Sequence, residues 1–569
     1  MKLFKAGPLT IGYENGFLRR IAYGESEVLR MIYFALRDHN WNTLNSQVEN
    51  EVIVVNADDF EITYDCFHLD GGVTVMEWRG RIRGNSDGSI IFEIRGAARE
   101  TFKKNRAGFC VLHPLDNAGR DCTIVHEDGS RTTGPFPRNV AAENPFKSIV
   151  SMSWERAGVP FALEFEGDVF ETEDQRNWGD ASFKTFCTPL AKPFPVELRR
   201  GEKVFQRITF KPLAKLKPIA GKPLSVTLLD IDVKSVLPLM GVAESTESAH
   251  LPEAAISRLQ ALKFKHYRID VYPSGEDWVA RFSSAYENGY ALGCPLEVAL
   301  HLTKNFREEL EAFSVVCQQS KVRLRKVLLL RAGGLVSGQD SINEIPGLKE
   351  ALPNVLFGAG TNYNFNEINN NRFHGENADF ISFAVDPQEH AFDDLTILEN
   401  IGAVEHLVKS AKAIYGEQKP VHISPLTLRK RFNPYATNPA DLFIEESRKA
   451  DPRQKEVFAA LWTFGSICNF TLGGASAITF FQTIGKQGIL SQTGEPYPVY
   501  EILKEFAPFQ GKPVRALQSS DPLSVQGIIL DEKILALVNL TQERKTVQWQ
   551  DIEITLKPQE MKFHALDRA

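Results

Sequence analysis

The chain has little cysteine, no long apolar run and no block of like charge, and each absence removes a class of function. Its seven cysteines (66, 110, 122, 187, 294, 317 and 468) are odd in number, scattered, and never spaced Cys-x-x-Cys. That pattern suits buried thiols in a reducing cytoplasm and argues against a structural zinc site. The opening Met1-Lys-Leu-Phe-Lys-Ala-Gly-Pro carries two lysines with no apolar core behind them, so it does not read as a secretory signal. No apolar run approaches the length of a membrane span. Lys plus Arg is 65 against Asp plus Glu 72, a formal net charge of −7, with the signs mixed along the chain. A mixed solvated surface is expected, with neither nucleic acid nor membrane as partner. There is no internal repeat, no low-complexity segment, no Gly-x-Gly-x-x-Gly turn after a first strand and no Gly-x-Ser-x-Gly elbow.

What is present is ample core. At 569 residues, with 43% hydrophobic and 24% charged, the chain has the profile of a globular protein of several domains. Residues 1–225 hold short alternating runs broken by Gly, Asn and Asp, such as Glu51-Val-Ile-Val-Val, Phe60-Glu-Ile-Thr-Tyr and Ser89-Ile-Ile-Phe-Glu-Ile. Period-two alternation with few helix-period segments predicts an N-terminal antiparallel β-sandwich. Lys211-Pro-Leu-Ala-Lys-Leu-Lys-Pro and Gly221-Lys-Pro mark a linker. Over 226–510 strands alternate with helices. The strands are read as Leu237–Val242, His266–Val271, Leu296–Leu302, Val327–Ala332, Asn354–Ala359, Phe380–Val385, Val421–Ser424 and Ala477–Phe481. Helices are read at Pro252–Lys263, Arg307–Ser320, Leu395–Tyr415 and Arg453–Thr471. Eight such units predict a (β/α)8 TIM-type barrel. Alternation returns over 511–569, which predicts a small C-terminal β-domain.

In such a barrel chemistry sits at the carboxyl ends of the strands. Arg268 and Asp270 share a face of the second strand, as a plug of the barrel or as a group that holds a carbonyl or carboxylate. His301 closes the third strand, and Glu244 follows the first. Glu367 lies in Asn362-Tyr-Asn364-Phe-Asn-Glu367, where amides offer both donors and acceptors to a polyhydroxylated ligand. His390 follows the sixth strand in Asp386-Pro-Gln388-Glu-His390, with Asp393 placed to orient its ring for acid–base work. His422 and Ser424 lie on the seventh strand, and Gln482 ends the eighth. Outside the barrel, Asp174-Gln-Arg176-Asn177-Trp178-Gly-Asp180-Ala-Ser-Phe-Lys184 is too polar for a buried strand and too aromatic for an idle loop. It reads as a substrate-contacting loop, with the pocket built between domains. Carboxylate and imidazole ligands would suit a divalent metal, but no spacing demands one, and no cofactor is expected. Nothing in the sequence sets the oligomeric state.

Together Asn15-Gly-Phe-Leu-Arg-Arg-Ile, Glu27-Val-Leu-Arg30, Arg37-Asp-His-Asn-Trp41, Glu173-Asp-Gln-Arg-Asn-Trp178-Gly-Asp-Ala-Ser-Phe-Lys184, Glu367-Ile-Asn and Pro387-Gln-Glu-His-Ala-Phe-Asp393 resemble the D-apionate lactonase family over nearly the whole chain. The resemblance implies hydrolysis of the branched sugar lactone D-apionolactone to D-apionate in apiose catabolism. Two positions depart from the family's pattern: Asn370 stands where Leu-Asn-Arg usually ends, and Gln482 stands where Glu is frequent. With lactone hydrolysis as the reading, Glu367 is the candidate base or acid, His390 its partner and Arg268 the oxyanion or carboxylate group. Asp174, Arg176, Asn177, Trp178, Asp180, Lys184, Asp270, His301, Asn362, Asn364, Gln388, His422 and Gln482 are the candidate substrate contacts. The alternatives are a glycoside hydrolase with paired carboxylates, or a catalytically silent carbohydrate-binding relative.

Overall fold

The computed structural model describes residues 1–218, 225–320, 322–436 and 442–566, the side chains of 232–234 excepted. The Gly221-Lys-Pro part of the expected linker lies outside the described residues. The chain divides into two compact units, one of Met1–Gln175, Ala181–Pro223 and Tyr435–Leu442, the other of Arg176–Asp180, Leu224–Pro434 and Phe443–Ala569.

The first unit is the expected antiparallel β architecture. Its alternating runs become strands that bury every second side chain: Phe60–Asp70 alternates buried and half-buried along its length. That strand turns into Val73–Gly84 through Gly71-Gly72, whose φ values of +55° and +85° make the tight two-residue hairpin that non-glycine residues resist. Among the described residues seventeen strands join in this antiparallel sheet. Their inward aromatics close the core, with Phe92 and Phe109 edge to face at 4.7 Å and Phe165 stacked on Phe170 at 4.1 Å. Leu216, in the stretch read as a linker, is buried in this core.

Among the described residues the second unit has a ring of eight parallel strands, β1 (Leu239–Ala243), β2 (His266–Val271), β3 (Leu296–Leu302), β4 (Leu324–Arg331), β5 (Leu356–Gly360), β6 (Phe380–Val385), β7 (Val421–Leu426) and β8 (Ala477–Ile484), with the short Gly488–Leu490 added in parallel to β8. Each pairs with the next, and β8 pairs with β1, so the sheet closes. Helices follow the strands, among them Glu253–Ala261, Trp278–Ala291, Phe306–Ser320 and Val457–Gly473. Strands buried on both faces explain the near-continuous apolar runs of β3 and β6.

Two readings change. Ser225–Val236, placed in the barrel from sequence, instead pairs with Pro513–Ser519 and Lys545–Trp549 in the seven-stranded C-terminal sheet. Its partners lie nearly the whole barrel away in sequence, and local pattern carries no trace of them. Leu395–Tyr415, read as one helix, is broken into Asp394–Glu399, a 3-10 turn over Asn400–Ala403, and Val404–Tyr415. Asn400 at the break donates its amide to Asp180 and to the Pro387 carbonyl, both at 3.0 Å. The helix Val457–Gly473 is apolar all round because both sides are covered. Phe464 packs on Phe506 and Phe563, and Asn469 donates to Gln526 of the C-terminal sheet at 2.7 Å.

Candidate active site

The barrel interior is built in layers by strand alternation. On β2, His266, Arg268 and Asp270 all face inward, one above the next toward the mouth. Gly241 of the neighbouring strand leaves room for the first of them, since a Cβ there would lie 2.0 Å from the His266 ring. In the lowest layer His266 meets Thr479 at 2.8 Å, and Lys326 donates to Glu297 at 3.2 Å. Burial pushes His266 down to about 3, so it is neutral and Lys326 is the cation that Glu297 faces. His422 stacks on Phe380 at 4.2 Å. As the second residue of its strand it sits at the floor, away from the mouth, contrary to the expected substrate contact. Glu297 also accepts from Ser424 at 2.6 Å, and Ser424 in turn accepts from Arg268 at 2.9 Å. Ser424 therefore relays the floor to the mouth and has no histidine partner of a nucleophilic triad among its hydrogen bonds.

The mouth brings together four expected residues and two that sequence reasoning missed. Arg268 donates to Asn362 at 2.7 Å and to Asp270 at 3.3 Å, and Arg431 donates to the same Asn362 oxygen at 2.8 Å. Arg431 also stands 3.8 Å from the second Asp270 oxygen. His301 Nε2 lies 2.9 Å from Asp270, and Tyr272 stacks flat on its ring at 4.1 Å. Burial alone would raise the Asp270 carboxyl, but Arg268, then Arg431 and His301, outweigh it and hold it well below the usual carboxylate range. Asp270 keeps 31% of its side-chain surface exposed, so this charge opens to solvent. Arg431 and Tyr272 were legible in principle. Each lies just past a strand end, in Arg429-Lys-Arg431 and directly after Val271.

A second polar cluster surrounds Arg176–Asp180. Arg176, fully buried, approaches His406 at 3.1 Å, and Asn177 accepts from Asn369 at 2.8 Å. Asp180 lies 2.6 Å from His390 Nδ1 and accepts from Asn400, while Trp178 meets the His390 ring edge-on at 5.4 Å. Gly179 has φ +86°, and the Asp386 carbonyl stands 3.2 Å from where a Cβ would be. The orienting carboxylate of His390 is thus Asp180, not Asp393. Asp393 instead caps the helix Asp394–Glu399 by accepting from Thr396. Glu367 sits on the short helix Phe365–Asn370, is 1% exposed, and accepts from Asn366 at 3.2 Å. On the loop after β6, burial, then Glu389, keeps the Asp386 carboxyl well above its ordinary value.

The remaining candidates serve the frame. Asp174 accepts from the Ala141 backbone at 3.0 Å, and Lys184 pairs with Glu173, all within the first unit. Asn364 donates to Glu389 at 2.9 Å. Gln388 donates to Leu428 and Asp451 and accepts from Arg453, which commits its amide to holding loops together. Gln482 accepts from the Thr246 backbone at 3.0 Å. Among the described residues no three His, Cys, Asp or Glu side chains gather as metal ligands would. No helix among them is long and apolar enough to cross a membrane.

Comparison with known proteins follows the same division of the chain. Residues 1–215 match the D-apionate lactonase N-terminal domain, and residues 240–511 match the D-apionate lactonase TIM barrel domain. The D-apionate lactonase of Brucella anthropi is 29% identical, over 97% of this chain and 95% of its own length. Among solved structures, a family 51 α-L-arabinofuranosidase from Bifidobacterium longum is 9% identical over 61% of this chain and 96% of its own, with a TM-score of 0.41. A GH30 endoxylanase from Clostridium papyrosolvens is 11% identical over 58% and 88%, with a TM-score of 0.37.

Proposed function

This chain belongs to the D-apionate lactonase family, and on that premise we propose that it hydrolyses a sugar lactone, D-apionolactone to D-apionate, at the carboxyl end of the barrel. One observation carries the reading: an imidazole held by a carboxylate and two guanidiniums converge on Asp270 and Asn362. Ester hydrolysis needs a base for water and a cation for the tetrahedral oxyanion, and this cluster offers both.

Asp270 accepts from His301 Nε2–H, which fixes the tautomer and leaves the lone pair on Nδ1. Nδ1 takes a proton from water as the water oxygen bonds to the lactone carbonyl carbon. Arg268 and Arg431 hold the oxyanion that forms, and afterwards the carboxylate of the opened acid. When the intermediate collapses, the bond from carbonyl carbon to ring oxygen breaks and the ring oxygen leaves as a hydroxyl. The base therefore moves from the expected Glu367–His390 pair to His301, and Arg268 keeps its expected role. His390 and Asp180 are assigned to seating the Arg176–Asp180 segment, with Glu367 in the same buried surroundings.

Acid release measured by pH-stat over a panel of aldonolactones tests the reading. Turnover of D-apionolactone ahead of unbranched lactones is expected. Release of no acid from any of them contradicts it, and release of p-nitrophenol from an aryl glycoside moves the site to the glycoside-hydrolase alternative.

A further inference from the structure

For His301 to serve as the base, Nδ1 must stay aimed at a water while Asp270 grips the other ring nitrogen. We propose that Tyr272 is the positioning residue that ensures this: its ring holds the imidazole in one plane, and its face stabilises the imidazolium that forms when the proton is taken. This rests on the lactonase reading above.

Tyr272 continues the inward face of β2, two residues after Asp270. Val271 pairs with Leu300 of β3, so Tyr272 and His301, one residue further along each strand, stand side by side. Their rings lie 4.1 Å apart and 10° from parallel. The Tyr272 backbone is fixed as well. Gly275 N–H donates to its carbonyl at 3.0 Å, and Pro273 confines the residue before it to extended conformations.

In an imidazole Nε2 lies close to the axis through Cβ and Cγ, whereas Nδ1 lies well off it. The 2.9 Å contact between Nε2 and Asp270 therefore does little to stop the ring turning about that axis, and the torsion is soft by nature. Turning swings Nδ1 away from the water. A flat neighbour in contact with the ring blocks the turn. Nδ1 itself has no partner among the described residues and is not sealed from solvent. By contrast, Trp178 stands at 89° to the His390 ring, a contact that offers no face-to-face hold.

The stack also bears on charge. An aromatic face is the negative part of the ring's quadrupole and attracts a cation within about 6 Å of its centre. In the proposed reaction positive charge appears on His301 as the water is deprotonated, so the attraction favours the transition state over the resting enzyme. Burial, then the charge of Asp270, pushes the Tyr272 phenol up to about 12, so the ring stays neutral. Its hydroxyl has no hydrogen-bond partner among the described residues, which leaves the ring as the working part.

The test is kcat and KM for lactone hydrolysis by pH-stat in wild type, Tyr272→Leu and Tyr272→Phe. The His301 imidazole resonances are followed by NMR and assigned by their loss in His301→Gln. Tyr272→Leu should lose roughly 10–100-fold in kcat, the range of a misplaced base and a lost cation–π contact, with KM within about threefold of wild type. Tyr272→Phe should restore kcat to within about threefold. The His301 resonances should move in Tyr272→Leu, as the neighbouring ring current is lost, and hold in Tyr272→Phe. Turnover by Tyr272→Leu within about threefold of wild type, or a loss carried by KM alone, overturns the inference. Unmoved resonances in that variant overturn it too and leave the lactonase reading intact. If Tyr272→Leu does not fold, Tyr272→Phe decides: a loss beyond about tenfold in kcat overturns the inference, and near-wild-type kcat with unmoved resonances upholds it. Absence of lactone turnover by the wild type overturns the lactonase reading itself, and the role of Tyr272 in catalysis falls with it.

Discussion

Among the described residues of the second unit are two His–Asp couples, and they differ in what surrounds them. His301 and Asp270 are 2.9 Å apart at the ends of two barrel strands, and two guanidiniums reach the same aspartate. His390 and Asp180 are 2.6 Å apart, one on a loop after β6 and one in the inserted segment, with an indole edge and an amide for company. Asp270 keeps 31% of its side-chain surface open, whereas Asp180 keeps 5%. Identical residue types thus make a cation-flanked couple that stays open to solvent in one place and a more enclosed couple in the other. Neighbouring charge and access, more than the pair itself, decide which one suits ester hydrolysis.

That contrast can be broken by substitution. His301→Gln should cost about 10²–10⁴ in kcat, measured by pH-stat, with little change in melting temperature. His390→Gln should do the reverse, keeping kcat within about tenfold while lowering the melting temperature. Parity between the two in kcat would dissolve the distinction. Arg431→Met should lose roughly 10²–10³ in kcat, as for removal of one oxyanion donor, while Arg429→Met, whose partner is Asp451, should not. Asp180→Ala removes one acceptor from His390 and one from Asn400 and should destabilise the fold by about 1–3 kcal/mol in chemical denaturation.

Acid should weaken the cluster around Arg176–Asp180 as well. Burial, then Arg176, pushes His406 down to about 4, so the unfolded chain binds a proton there that the folded chain refuses. Stability is therefore complete above about 6.5 and is lost as pH falls toward 4, by an amount on the order of 3 kcal/mol. His406→Gln should flatten that part of a stability-versus-pH curve. The smallest effect is expected at Trp178→Phe, which keeps an aromatic edge against His390 and should change kcat less than threefold.

How much was legible in the sequence follows the range of the forces. Strands β2, β3 and β6 begin and end where the sequence reading puts them, because a buried strand declares itself locally. The inward face of β2, with Arg268 and Asp270, followed from alternation alone. Distant pairing was not legible: Ser225–Val236 finds its partners beyond residue 512, and His390 finds Asp180 from 210 positions away rather than the nearby Asp393. Arg431 was missed because a basic run after a strand reads as a solvated loop until the closed barrel turns it toward Asn362. The polar segment 174–184 was singled out for its composition, and within it Arg176, Asn177 and Asp180 meet His406, Asn369 and Asn400 of the barrel unit, partners that composition does not reveal.

A structure with a bound aldonate tests the central claim most directly. The account predicts the carboxylate within hydrogen-bond distance of both Arg268 and Arg431, its carbon facing His301 Nδ1. An aldonate seated against His390 and Trp178 instead, with the Arg268–Arg431 pair unoccupied, would contradict it.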